Sequence, residues 1–383
     1  MHISPTLLAR DDQTVLPDPG YHRTRQVVHW VCDAPSPYHA CLFRALAADL
    51  SLDLTVHFIH TGVTSHPWQT QLTSGFRWRS YQRLAGIDWH LMKLAMTDRH
   101  SRFVVAGWYE PTTQALLSLL LAQQQPFIIW TDTPDLRPRP FLKGTIRLLW
   151  LRLLFRGATA VMGTGQPALQ ALTLMGCPPQ KLINFPFFVD LDACQRLDMS
   201  EPSIVRFVSA GRLQQSLKGQ HLALTALAQA RDRTGQNRFE YVIAGSGPDE
   251  EALRLLTQQL GLQHQVRFVG WLEPAAMRAC YGNGHVLLHP ALVDPFPVTV
   301  LEAMAAGMVV LGSDASGSVV DRICHGQNGL IHRAGDVEQL TEHIAQLLEH
   351  PWQVVPMGAA ARRTAEAWPV ARGVEVLRTV LCR

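Results

Sequence analysis

A chain of 383 residues, 47 % hydrophobic and 17 % charged, is globular in composition and long enough for two domains. A formal net charge of +3 is too small to indicate a nucleic-acid partner, and seven cysteines without a C-x-x-C pair argue against a zinc site or a disulfide framework. No apolar run reaches the roughly 18 residues that would suggest a membrane span.

Residues 1–24 read as a loose tail without the apolar centre of a targeting segment, and the chain is expected in the cytosol or at the cytosolic face of a membrane. Strands are then expected at 27–32, 54–59, 103–106, 127–130 and 158–162. Helices are expected at 37–49, with Leu42, Leu46 and Leu50 inward, and at 112–122. The second half repeats the plan, with strands at 204–210, 241–244, 266–269, 286–289 and 309–312 and helices at 220–230, 250–260, 275–281 and 298–306. The strands are nearly all apolar, as parallel strands covered on both faces are. The polar stretch near 190–202 separates two α/β units, 25–195 and 196–356, and 357–383 is helical around a break at Trp368–Pro369. The fold class is therefore α/β, with two Rossmann-like domains and a ligand expected at the carboxyl ends of their strands.

Several segments of the second half carry chemistry. The strand at 204–210 runs into Gly211-Arg212-Leu213, and Lys218-Gly219 opens a helix. A helix start offers unpaired N–H groups and a positive dipole end, and two cations beside it suit a diphosphate. The plainer alternative is a loop with two solvated cations. Gly245 and Gly247 lie in AGSGP after a strand, where glycine admits either a ligand or a neighbouring helix. Gly270-Trp271 ends another strand and either offers backbone groups to a flat base or simply closes the strand. Asp294 and Glu302 follow, with seven residues between them, the first in a proline-rich loop and the second one turn into a helix. That helix start can face a phosphate with Thr299 as an extra donor. Glu302 can accept from ribose hydroxyls and Asp294 from sugar hydroxyls.

In this order, GRLQQSLKG, AGSGPDEEAL, RFVGWL and DPFPVTVLEAMAAG resemble the retaining nucleotide-sugar glycosyltransferases of family 4, as do Asn328-Gly329 and Asp336 downstream. The resemblance covers residues 184–350. It implies a GT-B fold in which the C-terminal helix packs back on the N-terminal domain. It implies that Arg212 and Lys218 hold the diphosphate, that Glu302 holds the ribose, and that Asp294 with Phe296, Pro297, Val298 and Thr299 holds the sugar. Gly211, Gly245, Gly247 and Gly270 complete the donor side. The implied reaction moves a sugar from a UDP- or GDP-type donor, with retention, to a glycan or lipid-linked acceptor in cell-surface polysaccharide or glycolipid synthesis, with no cofactor and no obligatory metal. Two departures bear on sugar choice: Asp294 replaces the usual Glu, and Pro297, which lacks an N–H, replaces the usual Gly.

The first half resembles the family only in outline. Asp33–His39 has no glycine, and Asp132 stands where many members carry a His. Asp132 either joins the catalytic group or caps the turn before Pro134. Tyr38, Trp108 and Glu110 are the acceptor candidates. Seven of ten tryptophans fall in the first 150 residues, Trp68, Trp78 and Trp89 among them, and either stack on sugars or fill the core. Residues 138–157 interleave Lys143, Arg147, Arg152 and Arg156 with Phe141, Leu142, Ile146, Leu148–Leu151, Leu153 and Phe155, preceded by Arg137 and Arg139. This is either a basic amphipathic helix on an anionic membrane surface or a long helix packed on the sheet. Two rival functions share the scaffold: a non-catalytic carbohydrate- or nucleotide-binding protein, and a nucleotide-sugar epimerase. CDAPSPYH after the first strand, where GxGxxG would stand, argues against a nicotinamide dehydrogenase.

Overall fold

The computed structural model describes residues 25–60, 73–137, 140–191, 194 and 200–382, with only the backbone at 141–143. The tail 1–24, Trp68, Arg139 and the side chains of Phe141, Leu142 and Lys143 thus lie outside the described residues.

The first half contributes strands β1 (Gln26–Cys32), β2 (Leu52–Phe58), β3 (Arg77–Arg79), β4 (Arg102–Ala106), β5 (Phe127–Thr131), β6 (Ala160–Gly163) and β7 (Leu182–Asn184). Its helices are α1 (Pro37–Ala48), α2 (Trp89–Thr97), α3 (Pro111–Ala122), α4 (Phe141–Gly157) and α5 (Gly165–Leu174). The strands form one parallel seven-stranded sheet, ordered β3-β2-β1-β4-β5-β6-β7.

The second half contributes β8 (Val205–Ala210), β9 (Phe239–Ala244), β10 (Val266–Gly270), β11 (Val286–His289), β12 (Val309–Ser313) and β13 (Gly329–His332), in a parallel sheet ordered β10-β9-β8-β11-β12-β13. Its helices are α6 (Gln215–Lys218), α7 (Gln220–Thr234), α8 (Glu250–Gln259), α9 (Pro274–Asn283), α10 (Val298–Ala305), α11 (Gly317–Arg322) and α12 (Val337–Glu349). Two more, α13 (Val354–Glu366) and α14 (Val370–Leu381), flank the break at Trp368–Pro369. This is the expected α/β architecture. Among the described residues no helix is long and apolar enough to cross a membrane.

Each sheet is covered on both faces. Leu91, Leu116, Leu154 and Phe155 pack α2, α3 and α4 on one face of the first sheet. On the other face, Leu42, Phe43 and Leu46 of α1 meet Leu377, Val380 and Leu381 of α14. The last helix thus returns to the first sheet, while α13 packs on the second through Ala361 and Ala365. Side chains on both faces of the central strands are therefore buried, which explains their unbroken apolar runs.

Local chemistry sets the element ends. Ser36 caps α1, accepting from His39 N at 3.4 Å, and Pro37 fills the first helical position. The helix stops at Ala48, so Leu50 falls past its end and is 79 % exposed rather than inward. Asp336 caps α12 through Gln339 N at 3.0 Å. Asn328 Oδ1 accepts from Cys324 N at 2.7 Å, while Nδ2 donates to Arg322 O at 3.0 Å and Thr364 Oγ1 at 2.9 Å. The downstream motif residues Asn328 and Asp336 thus make structural contacts.

Candidate active site

The two sheets present their carboxyl ends to one cleft of about 610 Å³, a size suited to a small-molecule substrate. Its second-half wall carries Gly211, Arg212, Lys218, Gly245, Asp294, Phe296, Pro297, Val298, Thr299 and Glu302. Its first-half wall includes Tyr38, Cys41, Arg44, Asp132 and Asp190.

Two glycine turns build the floor. Gly211 N donates to Ala244 O at 3.0 Å, and Gly245 N donates to Gly270 O at 2.7 Å. Gly245 has φ +133°, and a Cβ there would collide with the Gly211 carbonyl. Gly247 lies against the Leu213 backbone, and Leu213 N donates to Ser246 O at 3.0 Å. Of the two readings open for this turn, Gly247 serves close packing; neither it nor Gly270 is among the residues lining the cleft.

Lys218 does not begin the long helix. It ends the one-turn helix α6, and Gly219, with φ +66°, turns the chain into α7. Leu292 N donates to Leu217 O at 2.8 Å, which ties α6 to the loop carrying Asp294. That loop is held in turn by Gly317 N, which donates to Asp294 O at 3.0 Å. Lys218 Nζ consequently lies 2.5 Å from Asp294 Oδ2, and His289 Nε2 lies 3.2 Å from the same oxygen. Burial raises the Asp294 pKa, but His289 and Lys218 outweigh it and hold the carboxyl below its ordinary value. Arg212 is exposed to the cleft, with its carbonyl accepting from Gln220 Nε2 at 2.9 Å.

Pro297 stands at the N-cap of α10, where its missing N–H leaves no donor, and its carbonyl accepts from Ser318 Oγ at 3.0 Å. In the first turn, Thr299 Oγ1 is sequestered without a hydrogen-bond partner among the described residues. Phe296 packs toward the first half, 6.2 Å from the Phe187 ring and against Gly165. Glu302 lies beside Tyr281 and Arg278. Burial pushes its carboxyl up to about 7, against the opposing effects of Tyr281 and Arg278.

Asp132 faces Asp294 across the cleft. It reaches solvent through the opening while protein surrounds it on the other sides. This desolvation raises its pKa to about 6, Thr164 Oγ1 at 2.9 Å pulls it down, and Asp294 raises it further. Tyr38 lines the cleft with its ring 4.9 Å from Phe187, and burial raises its phenol to about 12.

The remaining acceptor candidates are elsewhere. Trp108 is 1 % exposed in the core beside α2–α4, 5.8 Å from the Phe155 ring, because its strand end turns inward under α4. Glu110 lies outside the cleft lining, 3.6 Å from Arg83 and 3.7 Å from His60. His60 is also 3.3 Å from Asp33, and Asp33, His60 and Glu110 form the metal-competent cluster found among the described residues. Arg83 Nη2 already lies 3.1 Å from His60 Nδ1, which occupies this group with a guanidinium. Trp78 and Trp89 are 40 % and 54 % exposed and are not among the lining residues.

Sequence reasoning passed over Arg278, Tyr281, His289 and Asp190, all lining the cleft. His289 was legible as the last residue of a parallel strand five positions before Asp294, and Tyr281 follows Arg278 at helical spacing. Asp190 opens the sequence Asp190-Leu191-Asp192, a pair of carboxylates two residues apart whose second member lies outside the described residues.

Two parallel sheets meeting at their carboxyl ends, with a final helix returning to the first, define the GT-B class of fold. The solved structure of HepE from Anabaena in complex with UDP has a TM-score of 0.74 at 17 % identity, over 93 % of this chain and 99 % of that one. Sucrose-phosphate synthase from Thermosynechococcus elongatus has a TM-score of 0.70 at 17 % identity, over 93 % and 98 %. Residues 202–365 match the family described as Glycosyl transferases group 1. The putative colanic acid biosynthesis glycosyltransferase WcaL of Salmonella typhimurium is 28 % identical over 46 % of this chain and 44 % of its own length. A GDP-mannose-dependent phosphatidylinositol monomannoside mannosyltransferase of Mycobacterium tuberculosis is 31 % identical over 39 % of this chain and 40 % of its own. The chain thus spans less than half the length of these curated relatives.

Proposed function

We propose that the protein is a glycosyltransferase that moves a sugar from a nucleoside diphosphate donor, with retention at the anomeric carbon, to a hydroxyl of a glycan or lipid-linked acceptor in polysaccharide or glycolipid synthesis. The observation that carries this reading is the convergence of Arg212, Lys218, Asp294, Thr299 and Glu302 on one cleft at the carboxyl ends of the second sheet. Support comes also from the matched family and from relatives named as glycosyltransferases.

In this reading Glu302 accepts from the ribose hydroxyls, and the diphosphate lies against Arg212, Lys218 and the first turn of α10. The negative charge that grows as the sugar–phosphate bond breaks meets two cations, the helix dipole and the Thr299 hydroxyl. Asp294, fixed by Lys218 and His289, receives sugar hydroxyls. Asp132 approaches the transferred sugar from the opposite wall. The acceptor enters beside Tyr38, and its proton passes to the departing phosphate oxygen on the same face. The bond from acceptor oxygen to anomeric carbon forms as the bond to the diphosphate breaks, so charge and protons balance. Because protein cations serve the leaving group, this reading needs no obligatory metal.

Turnover of UDP- and GDP-sugars by Lys218→Ala and Glu302→Ala tests the proposal. Removing one preorganised group that stabilises developing charge costs on the order of 10²–10³ in rate. Unchanged transfer in both variants would overturn the assignment.

A further inference from the structure

The helix α4 is apolar on two sides. Leu151, Leu154 and Phe155 are fully buried against the first sheet. Trp150 fastens the helix to α3 by donating from Nε1 to Ser118 Oγ at 3.1 Å. That face is complete, yet Ile146, Leu149 and Leu153 stand 61, 55 and 56 % exposed. They follow one another at three- and four-residue spacing and so form a single outward stripe. A core helix needs no such stripe, and water gains nothing from it.

Charge accompanies the stripe. Arg152 and Arg156 are exposed on the same helix, and among the described residues no carboxylate pairs with either. Lys181 Nζ lies 2.5 Å from both Arg156 O and Ala158 O, which brings another cation to the end of α4. Gly176 packs on Arg152, which brings the 75 % exposed Leu174 to the same end of the molecule. Between Asp135 and Asp190 the sequence has no Asp or Glu, but it has seven Lys or Arg. The rest of the chain is net acidic, so this positive charge is local and not a property of the whole molecule.

We propose that the outer face of α4 docks on an anionic phospholipid surface, with Ile146, Leu149 and Leu153 entering the interface and Arg152 and Arg156 meeting the headgroups. A bare apolar stripe would fit a second protein equally well; the basic flanks and the absence of acidic residues select a negatively charged bilayer. The helix belongs to the first half of the chain, which also supplies Tyr38 and Asp132 to the cleft.

Co-sedimentation of the full chain with vesicles tests this, and its result does not depend on which sugar is transferred. Strong binding is expected to equimolar phosphatidylglycerol–phosphatidylcholine vesicles. Binding at least about tenfold weaker is expected to phosphatidylcholine alone, and high salt should release the protein. The double variant Leu149→Glu/Leu153→Glu should lose vesicle binding while keeping its melting temperature and UDP binding, because both side chains are already exposed. Equal binding to both vesicle types, or full binding by the double variant, would overturn the proposal. So would a dimer in light scattering that the same variant dissolves, since a second copy would then own this face.

Discussion

Glu302 experiences two opposing effects: protein burial disfavours its charge, while ribose hydroxyls would favour it. Burial pushes its free carboxyl up to about 7, so a protonated fraction is carried at neutral pH. Hydrogen bonds from a bound nucleotide favour the ionised form, so binding should release protons at pH 7 and weaken as the pH falls below that value. Calorimetry of UDP binding in buffers of different ionisation enthalpy should detect the release, and Glu302→Gln should abolish it. Asp132 has its own signature. Its pKa is raised from 3.8 to about 6, so the stability linked to its proton is fully present below the lower value and is lost as the pH rises through the higher one. Asp132→Asn should therefore raise the melting temperature at pH 8 but not at pH 4. It should also flatten any limb of the transfer profile near pH 6. Asp190 calls for a third measurement. Transfer should survive EDTA; loss on chelation with recovery in Mg²⁺ would make Asp190 a candidate ligand and would remove the metal-free reading. At this scale the sequence spoke unevenly. Asp294 and Glu302 were legible because their spacing belongs to a motif. Arg278 and His289 were not, because a lone cation on a helix and a lone histidine ending a strand have no pattern until the fold brings them together. Trp108 misled because a tryptophan after a strand can turn either to the rim or under the next helix.

Among the elements, the glycine turns ending β8 and β9 and the short helix α6 position the donor wall. Gly245 has no room for a Cβ and holds φ +133°, so Gly245→Ala should cost about 1–3 kcal/mol and weaken UDP binding, measurable by melting and titration. The strands β1, β2, β4, β5, β6, β8, β9, β10, β11 and β12 were readable from their apolar runs, to within a few residues at their ends, whereas the short β7 and β13 were passed over. β3 was passed over too: Arg77, Trp78 and Arg79 are all exposed, so this edge strand carries no burial signal. The α6 turn was hidden as well, since four residues carry too little periodicity to mark a helix. α4 resisted a single reading because both alternatives hold in part: it packs on the sheet and also exposes a second apolar face.

Across the whole molecule, the halves touch through a small, specific seam. Asp321 Oδ1 accepts from Gln166 N at 2.7 Å, so a carboxylate of α11 meets the first turn of α5 in the other half. Asp321 Oδ2 lies 3.0 Å from Arg322 Nε, and the Arg322 guanidinium covers the Trp368 ring at 3.6 Å, with Arg372 3.9 Å away on the same ring. Asp321→Ala removes the partner of a buried guanidinium and should cost about 3–5 kcal/mol, with a broader distance distribution between the halves in solution scattering. The double α/β plan was visible in the repeated strand–helix rhythm. The seam was not, because Gln166 and Asp321 are 155 positions apart and share no motif.

The return of α14 has a consequence for synthesis. Leu377, Val380 and Leu381 fill the same core as Phe43 and Leu46, yet the ribosome adds them after the entire second sheet. The usual order, in which the N-terminal domain folds first, is therefore incomplete here: part of one face of the first sheet stays open to water until α14 has been made. A nascent chain stalled before α14 should bind a hydrophobic dye and be cut by protease in its first half, and a separately supplied α14 peptide should protect it. The second half, whose core needs nothing from α14, should already resist cleavage at that stage.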